Sequence, residues 1–216
     1  MNEVETQSSS AVPLIVWVTL LSLGYAILRY HIAGPVPWKD LTFFILNKGI
    51  CLSAFILLVM NFSLGPAKNL GLNVPHSWLN ARMAIGIVGF LMVLVHVLMS
   101  FLLFSPAVYG QLFDAHNTLT ATAGLSMFFG VLAFVVLWGY NLAFKTNLRE
   151  DKKFIEFITS RKFLLWALLL GAAHLLFMGY SGWINPVSWH GGLPPISLVA
   201  FSIFLFGYVI NLLGRT

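Results

Sequence analysis

Two histidines, His96 and His174, lie in the middle of two long apolar stretches that otherwise carry almost no ionisable group. An ionisable side chain within a membrane span is costly, so each needs a reason to be there. Imidazole nitrogen is an axial ligand of haem iron. Two histidines on two helices at one depth would hold one haem b and leave no open iron position. Such a six-coordinate, low-spin centre suits electron transfer rather than oxygen binding. The alternative for either residue is a hydrogen-bonded packing histidine or a proton relay, in a haem-free membrane scaffold or small transporter.

Other residues extend this chemistry. Lys48 falls about 10 Å inside its span, where its ammonium could meet a haem propionate or snorkel to the surface. Asn47 beside it could serve either end. Gly89 and Gly171, near the two histidines in sequence, offer room for a bulky ring or for close helix packing. His31, His116 and His190 fall in connections on one side, with Asp114 near His116. They could capture a metal-ion substrate or simply be solvated. His76 follows Pro75 on the other side. The single cysteine, Cys51, lies in an apolar run, so it forms no intramolecular disulfide and no cysteine-based metal site.

The elements that position these residues follow from composition. The chain of 216 residues is 59 % hydrophobic and only 9 % charged, against about 25 % charged in soluble domains. An all-α, integral membrane, six-helix bundle is expected. Apolar windows long enough to span are Ala11–Ala33, Leu41–Leu64, Ala81–Phe104, Asn117–Phe144, Lys162–Trp183 and Pro194–Leu213. Residues 1–10 form a polar tail, 11–213 the transmembrane domain and 214–216 a short C-terminal tail. Met1–Ser10 lacks the basic start of a secretory signal, so the first window is expected to be retained. Gly34-Pro35, Gly65-Pro66, Ser105-Pro106 and Gly191-Gly192 mark the connections.

Charge sets the orientation. Lys68, Arg82, Lys145, Arg149, Lys152, Lys153, Arg161, Lys162 and Arg215 collect on one side, and Arg29 and Lys39 on the other. The positive-inside rule makes both termini cytoplasmic in a multi-pass protein of the plasma membrane. The net charge of +5 is thereby accounted for by topology, and nucleic acid is excluded as a partner. The third and fifth spans then run in the same direction. His96 and His174 lie about 21 Å and 18 Å from their inner ends, at nearly one level. No GxGxxG or GxxxxGK[ST] occurs, so a nicotinamide-binding module is expected on another chain. Between Lys145 and Lys162, Phe154, Phe157 and Ile158 have the spacing of an interfacial amphipathic turn. The basic residues around them could hold a flavin pyrophosphate or act only as topology signals.

From the third span onward the chain resembles the ferric-reductase-like transmembrane superfamily. The residues that carry this are Arg82, Gly86 and His96, then His174 followed by Trp183-Ile184, Trp189 and Pro194-Pro195. This ordered series is most similar to the membrane domain of the STEAP metalloreductases. Two-haem relatives carry a second histidine about four turns inward on each ligand helix. Here those positions fall near Arg82 and Arg161, which implies the one-haem branch. The resemblance further implies FAD or FMN at the inner face, with Ser160, Arg161 and Lys162 as contacts. It implies an oxidoreductase or the electron-transfer subunit of one. Its donor would be a bound flavin, a cytoplasmic flavoprotein or NAD(P)H reductase, or quinol. Its acceptor would be ferric or cupric ion or an outer-side protein. A homo-oligomer within membrane lipid is compatible with this reading.

Overall fold

In the computed structural model, residues 3–142 and 150–214 are described, with side chains from Ala11 onward. Lys145, Arg149, Phe144 and Arg215 lie outside them. The helices are α1 (Glu3–Ile27), α2 (Leu46–Asn69), α3 (His76–Leu103), α4 (Ala121–Leu142), a short α5 (Lys152–Thr159), α6 (Arg161–Trp183) and α7 (Ile196–Gly214). Six stretches are long and apolar enough to cross a membrane: Ala11–Ile32, Trp38–Asn69, His76–Leu103, Ala121–Leu142, Arg161–Trp183 and His190–Gly214. Among the described residues there is no strand, only one isolated bridge between Phe113 and Leu119.

Several boundaries differ from the sequence expectation. The backbone from Glu3 is already helical, so α1 begins inside the expected polar tail. Gly65-Pro66 does not end α2. Pro66 sits within the helix, which closes at Gly71 (φ +81°). There Gly71 N–H donates to Lys68 O (2.9 Å) and Leu72 N–H to Ala67 O (3.1 Å), the paired bonds of a Schellman stop. The third helix opens one turn early, at His76 after the extended Pro75. The fourth opens late, at Ala121. Asp114 Oδ1 accepts from His116 N–H and Thr118 N–H, Asn117 takes φ 60°, and Thr120 Oγ1 accepts from Ala123 N–H (3.2 Å). That turn consumes residues 114–120 before a helix can start.

α2 is the central helix. In its apolar window 61 % of the residues are buried, against 17–33 % in the other five. It packs on α3 and α7; α7 packs on α6, and α6 on α4. The ring is left nearly open between α3 and α4, which meet sparsely. α1 lies outside and crosses α2 diagonally. Its early residues Ala11, Leu14, Ile15 and Val18 cluster with Ala81 and Ile85 of α3. At its other end Tyr25 Oη donates to Pro194 O at the start of α7 (2.6 Å).

Close approach in this ring depends on small residues and interhelical hydrogen bonds. Asn211 Nδ2 donates to Ser63 Oγ (2.9 Å), both buried. A Cβ built at Gly89 would lie 3.2 Å from Leu57 Cβ and Leu58 Cγ, so this glycine serves α2–α3 packing. Gly89→Leu is therefore expected to wedge these helices apart, costing about 1–3 kcal/mol. Gly139→Leu, with nothing within 4 Å of its Cβ position, should melt like the parent in a thermal unfolding assay.

Candidate functional site

His96 and His174 stand on two helices of the bundle, and each is tied to a neighbouring helix, α2 and α4 respectively. His96 projects from α3. Its Nδ1 lies 2.8 Å from Asn47 Oδ1, while Asn47 Nδ2 donates to Ser100 Oγ (3.2 Å). His174 projects from α6, and its Nδ1 lies 2.8 Å from the Ser126 carbonyl oxygen on α4. Ser126 Oγ in return donates to His174 O (3.0 Å). A carbonyl oxygen only accepts, so the imidazole proton sits on Nδ1 in both residues. Nε2 of each is then an unprotonated lone pair with no hydrogen-bond partner among the described residues. Fixing Nδ1–H on an oxygen is how proteins present Nε2 to a metal.

The level expected from the sequence is kept. Phe90 of α3 stacks on Phe134 of α4, with ring centroids 6.0 Å apart and planes 13° apart. Counting from that shared layer, His96 is six residues along α3 and Ser126, the partner of His174, eight along α4. These steps are about 9 Å and 12 Å, so the two imidazoles stand within about one helical turn of each other.

Aromatic rings pack nearby. Phe55 of α2 meets His96 edge-on (6.2 Å) and Phe204 of α7 (5.1 Å). Gly171, one turn before His174, gives way to that Phe204 ring, whose Cζ would lie 2.9 Å from a Cβ built at the glycine. Both glycines near the histidines thus serve helix packing. The glycine that serves a histidine is Gly130 of α4: a Cβ there would lie 2.8 Å from His174 Nδ1 and 3.1 Å from Cε1. Toward the α1–α2 connection, Lys48 Nζ lies 5.3 Å from the Phe44 ring centroid and 5.1 Å from that of Tyr109. It is half-buried and shared between two aromatic faces rather than extended into solvent.

The other sequence candidates lie apart from this pair. Ser160 caps α6, its Oγ accepting from Phe163 N–H (3.3 Å). Arg161 Nη2 donates to Leu212 O at the end of α7, and Lys162 is exposed. All three stand about four turns from His174, at the opposite end of α6. Ile158 of α5 is buried, as expected of an amphipathic turn. His31 Nδ1 donates to Val36 O (2.7 Å) and its ring meets Trp38 (3.8 Å). His190 lies beside Gly34, and His116 is exposed. The Asp114 carboxyl is held below its ordinary range by the Thr118 hydroxyl and then by the Thr118 and His116 amides. This exposed turn is favoured above the ordinary carboxylate range and loosens as pH falls through the lowered value. Among the described residues no group of three or more His, Cys, Asp or Glu comes together as a metal site. Ser126 and Gly130 were silent in sequence. Their one signal is the four-residue spacing that puts both on one face of α4.

No protein-family model matches the chain, and no curated protein matches it.

Gly130→Ala is expected to push His174 from its place and to cost about 1–3 kcal/mol. Gly124→Ala, on the same helix with open space at its Cβ position, should change stability by no more than about 0.5 kcal/mol. Paired thermal melts of the two variants check this.

Proposed function

We propose that the chain is a membrane b-type cytochrome that carries electrons across the membrane through one haem b. The observation that carries this reading is the matched pair of imidazoles on α3 and α6, each with Nδ1–H fixed on an oxygen and no partner at Nε2 among the described residues. The residues fit the group: two lone pairs for the axial positions, apolar walls for the ring, and a half-buried cation, Lys48, on the outer side for a carboxylate. When bound, haem supplies a one-electron carrier whose potential responds to its ligands, burial and hydrogen bonds.

The chain's own part is to bind, orient and exclude water. His96 and His174 would hold the iron. Asn47 and the Ser126 carbonyl fix the ring planes and raise the basicity of Nε2. Phe55 and Phe204 keep that side of the space dry. Electrons enter from a cytoplasmic-side donor and leave to an outer-side acceptor. The donor is FAD or FMN at the inner face, a separate flavoprotein or NAD(P)H reductase, or quinol. The acceptor is ferric or cupric ion or a partner protein. Both termini are cytoplasmic and the chain is a multi-pass protein of the plasma membrane. Lys68, Arg82, Lys152, Lys153, Arg161 and Lys162 on one side, against Lys39 and Arg29 toward the other, support that orientation. The ferric-reductase-like resemblance agrees with this reading but rests on the ordered residues alone.

Purified protein is expected to show a reducible Soret band and about one haem per chain by pyridine haemochrome, one axial pair serving one iron. His96→Ala and His174→Ala should each abolish stable binding, while His31→Ala and His190→Ala should leave it intact. A normal spectrum from the double variant of His96 and His174 would overturn the reading and leave the haem-free scaffold in its place. Reporters fused after Gly214 and within residues 113–116 should report opposite sides of the membrane; the same side for both would overturn the orientation.

A further inference from the structure

Among the described residues, Arg29 is the one strongly basic side chain that the bundle buries. It occupies the π-helical turn Leu28–Ile32 that ends the first membrane crossing, and it is 5 % exposed. Its Nε and Nη1 are fully buried and have no hydrogen-bond partner among the described residues. Asp40, the acidic residue nearest in sequence, is exposed and forms no ion pair with it. The Tyr30 ring under its guanidinium, 5.0 Å away, and the C-terminal end of the helix both favour a cation there. Neither accepts a hydrogen bond from Nε or Nη1. A buried charge without a partner is among the most costly features a fold can keep.

Its position gives the missing partner a place. α1 and α2 run antiparallel, with Thr19 Oγ1 on Ser53 Oγ (3.1 Å). From that shared level Arg29 is ten residues outward along one chain and Asn47 six along the other. Arg29 therefore stands about 6 Å beyond Asn47, the residue that holds His96. From Arg29 an unbroken row of rings leads toward the histidine space. Tyr30 lies under Arg29 and meets Phe44 (5.7 Å), Phe44 meets Tyr109 (6.0 Å), and Lys48 rests on both of the latter. Two cations thus share one aromatic rim, just outside the level of the imidazoles.

We propose that Arg29 is the receiving side chain of an oxyanion site at this rim, taking a carboxylate or phosphate group from a molecule bound within the bundle or at its edge. The oxyanion would accept from Nε or Nη1 and neutralise the guanidinium in one step. Two sources carry such a group to this depth: a propionate of the haem, which rests on the function proposed above, and the phosphate of an outer-leaflet lipid, which does not.

The test uses the full chain in lipid nanodiscs, with Arg29→Gln and the charge-keeping Arg29→Lys. One arm measures retention of iron protoporphyrin IX and of its dimethyl ester, in which both carboxylates are capped. The other measures the thermal stability of the porphyrin-free chain in phosphatidylglycerol against phosphatidylcholine. If the carboxylate is the source, Arg29→Gln loses iron protoporphyrin IX about tenfold more readily than the parent, the effect of one charge-assisted hydrogen bond. It holds the diester equally well, and Arg29→Lys falls between. If the phosphate is the source, phosphatidylglycerol stabilises the parent and Arg29→Lys but not Arg29→Gln. An Arg29→Gln chain that matches the parent in both arms overturns the proposal. So does one that is simply more stable than the parent in every lipid. If Arg29→Gln does not fold, the comparison of Arg29→Lys with the parent, and of porphyrin with diester in the parent, decides in its place. A parent that retains neither porphyrin removes the haem reading and leaves the lipid arm to decide Arg29.

Discussion

A polar atom enclosed by apolar helices must meet another polar atom, and at the two histidines that requirement can be met on only one ring nitrogen. The helices supply fixed acceptors to Nδ1: a side-chain amide from α2 for His96 and a backbone carbonyl from α4 for His174. Among the described residues they supply nothing to Nε2. Much of the surrounding architecture follows from delivering those acceptors. α2 must run through the middle of the bundle so that Asn47 can reach α3. α4 must come close enough to α6 for its backbone to serve as a partner, which excludes a side chain at position 130.

The same requirement separates the two kinds of glycine in the bundle. Gly89 and Gly171 let one helix or ring settle against another, and any compact helical membrane protein needs such positions. Gly130 instead clears space beside an imidazole and so belongs to the site. Proximity in sequence gives the opposite ranking, because it favours the glycines on the histidines' own helices. A helix places its neighbours of interest on the facing helix, and sequence distance carries no information about that.

Much of the plan was legible in the chain. The six spans follow from hydropathy, and the shared level of His96 and His174 follows from span direction and the rise of a helix. The amphipathic turn at Phe154–Ile158 follows from its spacing. What could not be seen is order in cross-section. All six spans are similarly apolar, so nothing in composition marks α2 as central or α1 as peripheral. Pro66 was misleading because a proline near a membrane surface can sit inside a final turn when the local packing accommodates it. Arg29 counted only as an orientation charge near the end of the first window, since only the fold shows that the guanidinium is buried. Ser160, Arg161 and Lys162 fell where the sequence put them, but capping α6 and binding the end of α7 already occupy the first two.

The sparse seam between α3 and α4 has a consequence of its own. Along it the outward residues are Leu94, Val95 and Leu98 on one side and Phe128, Val131 and Val135 on the other, all exposed on the isolated chain. The histidines are flanked by protein from α2, α6 and α7, with the Phe90–Phe134 stack at one depth. On the proposed function, with these helices in a bilayer, acyl chains would meet the site along this seam. The bilayer would then be a component of the site rather than its surroundings. The thickness, order and saturation of the annular lipids would set how tightly the site is sealed, and a detergent micelle would replace them with different material.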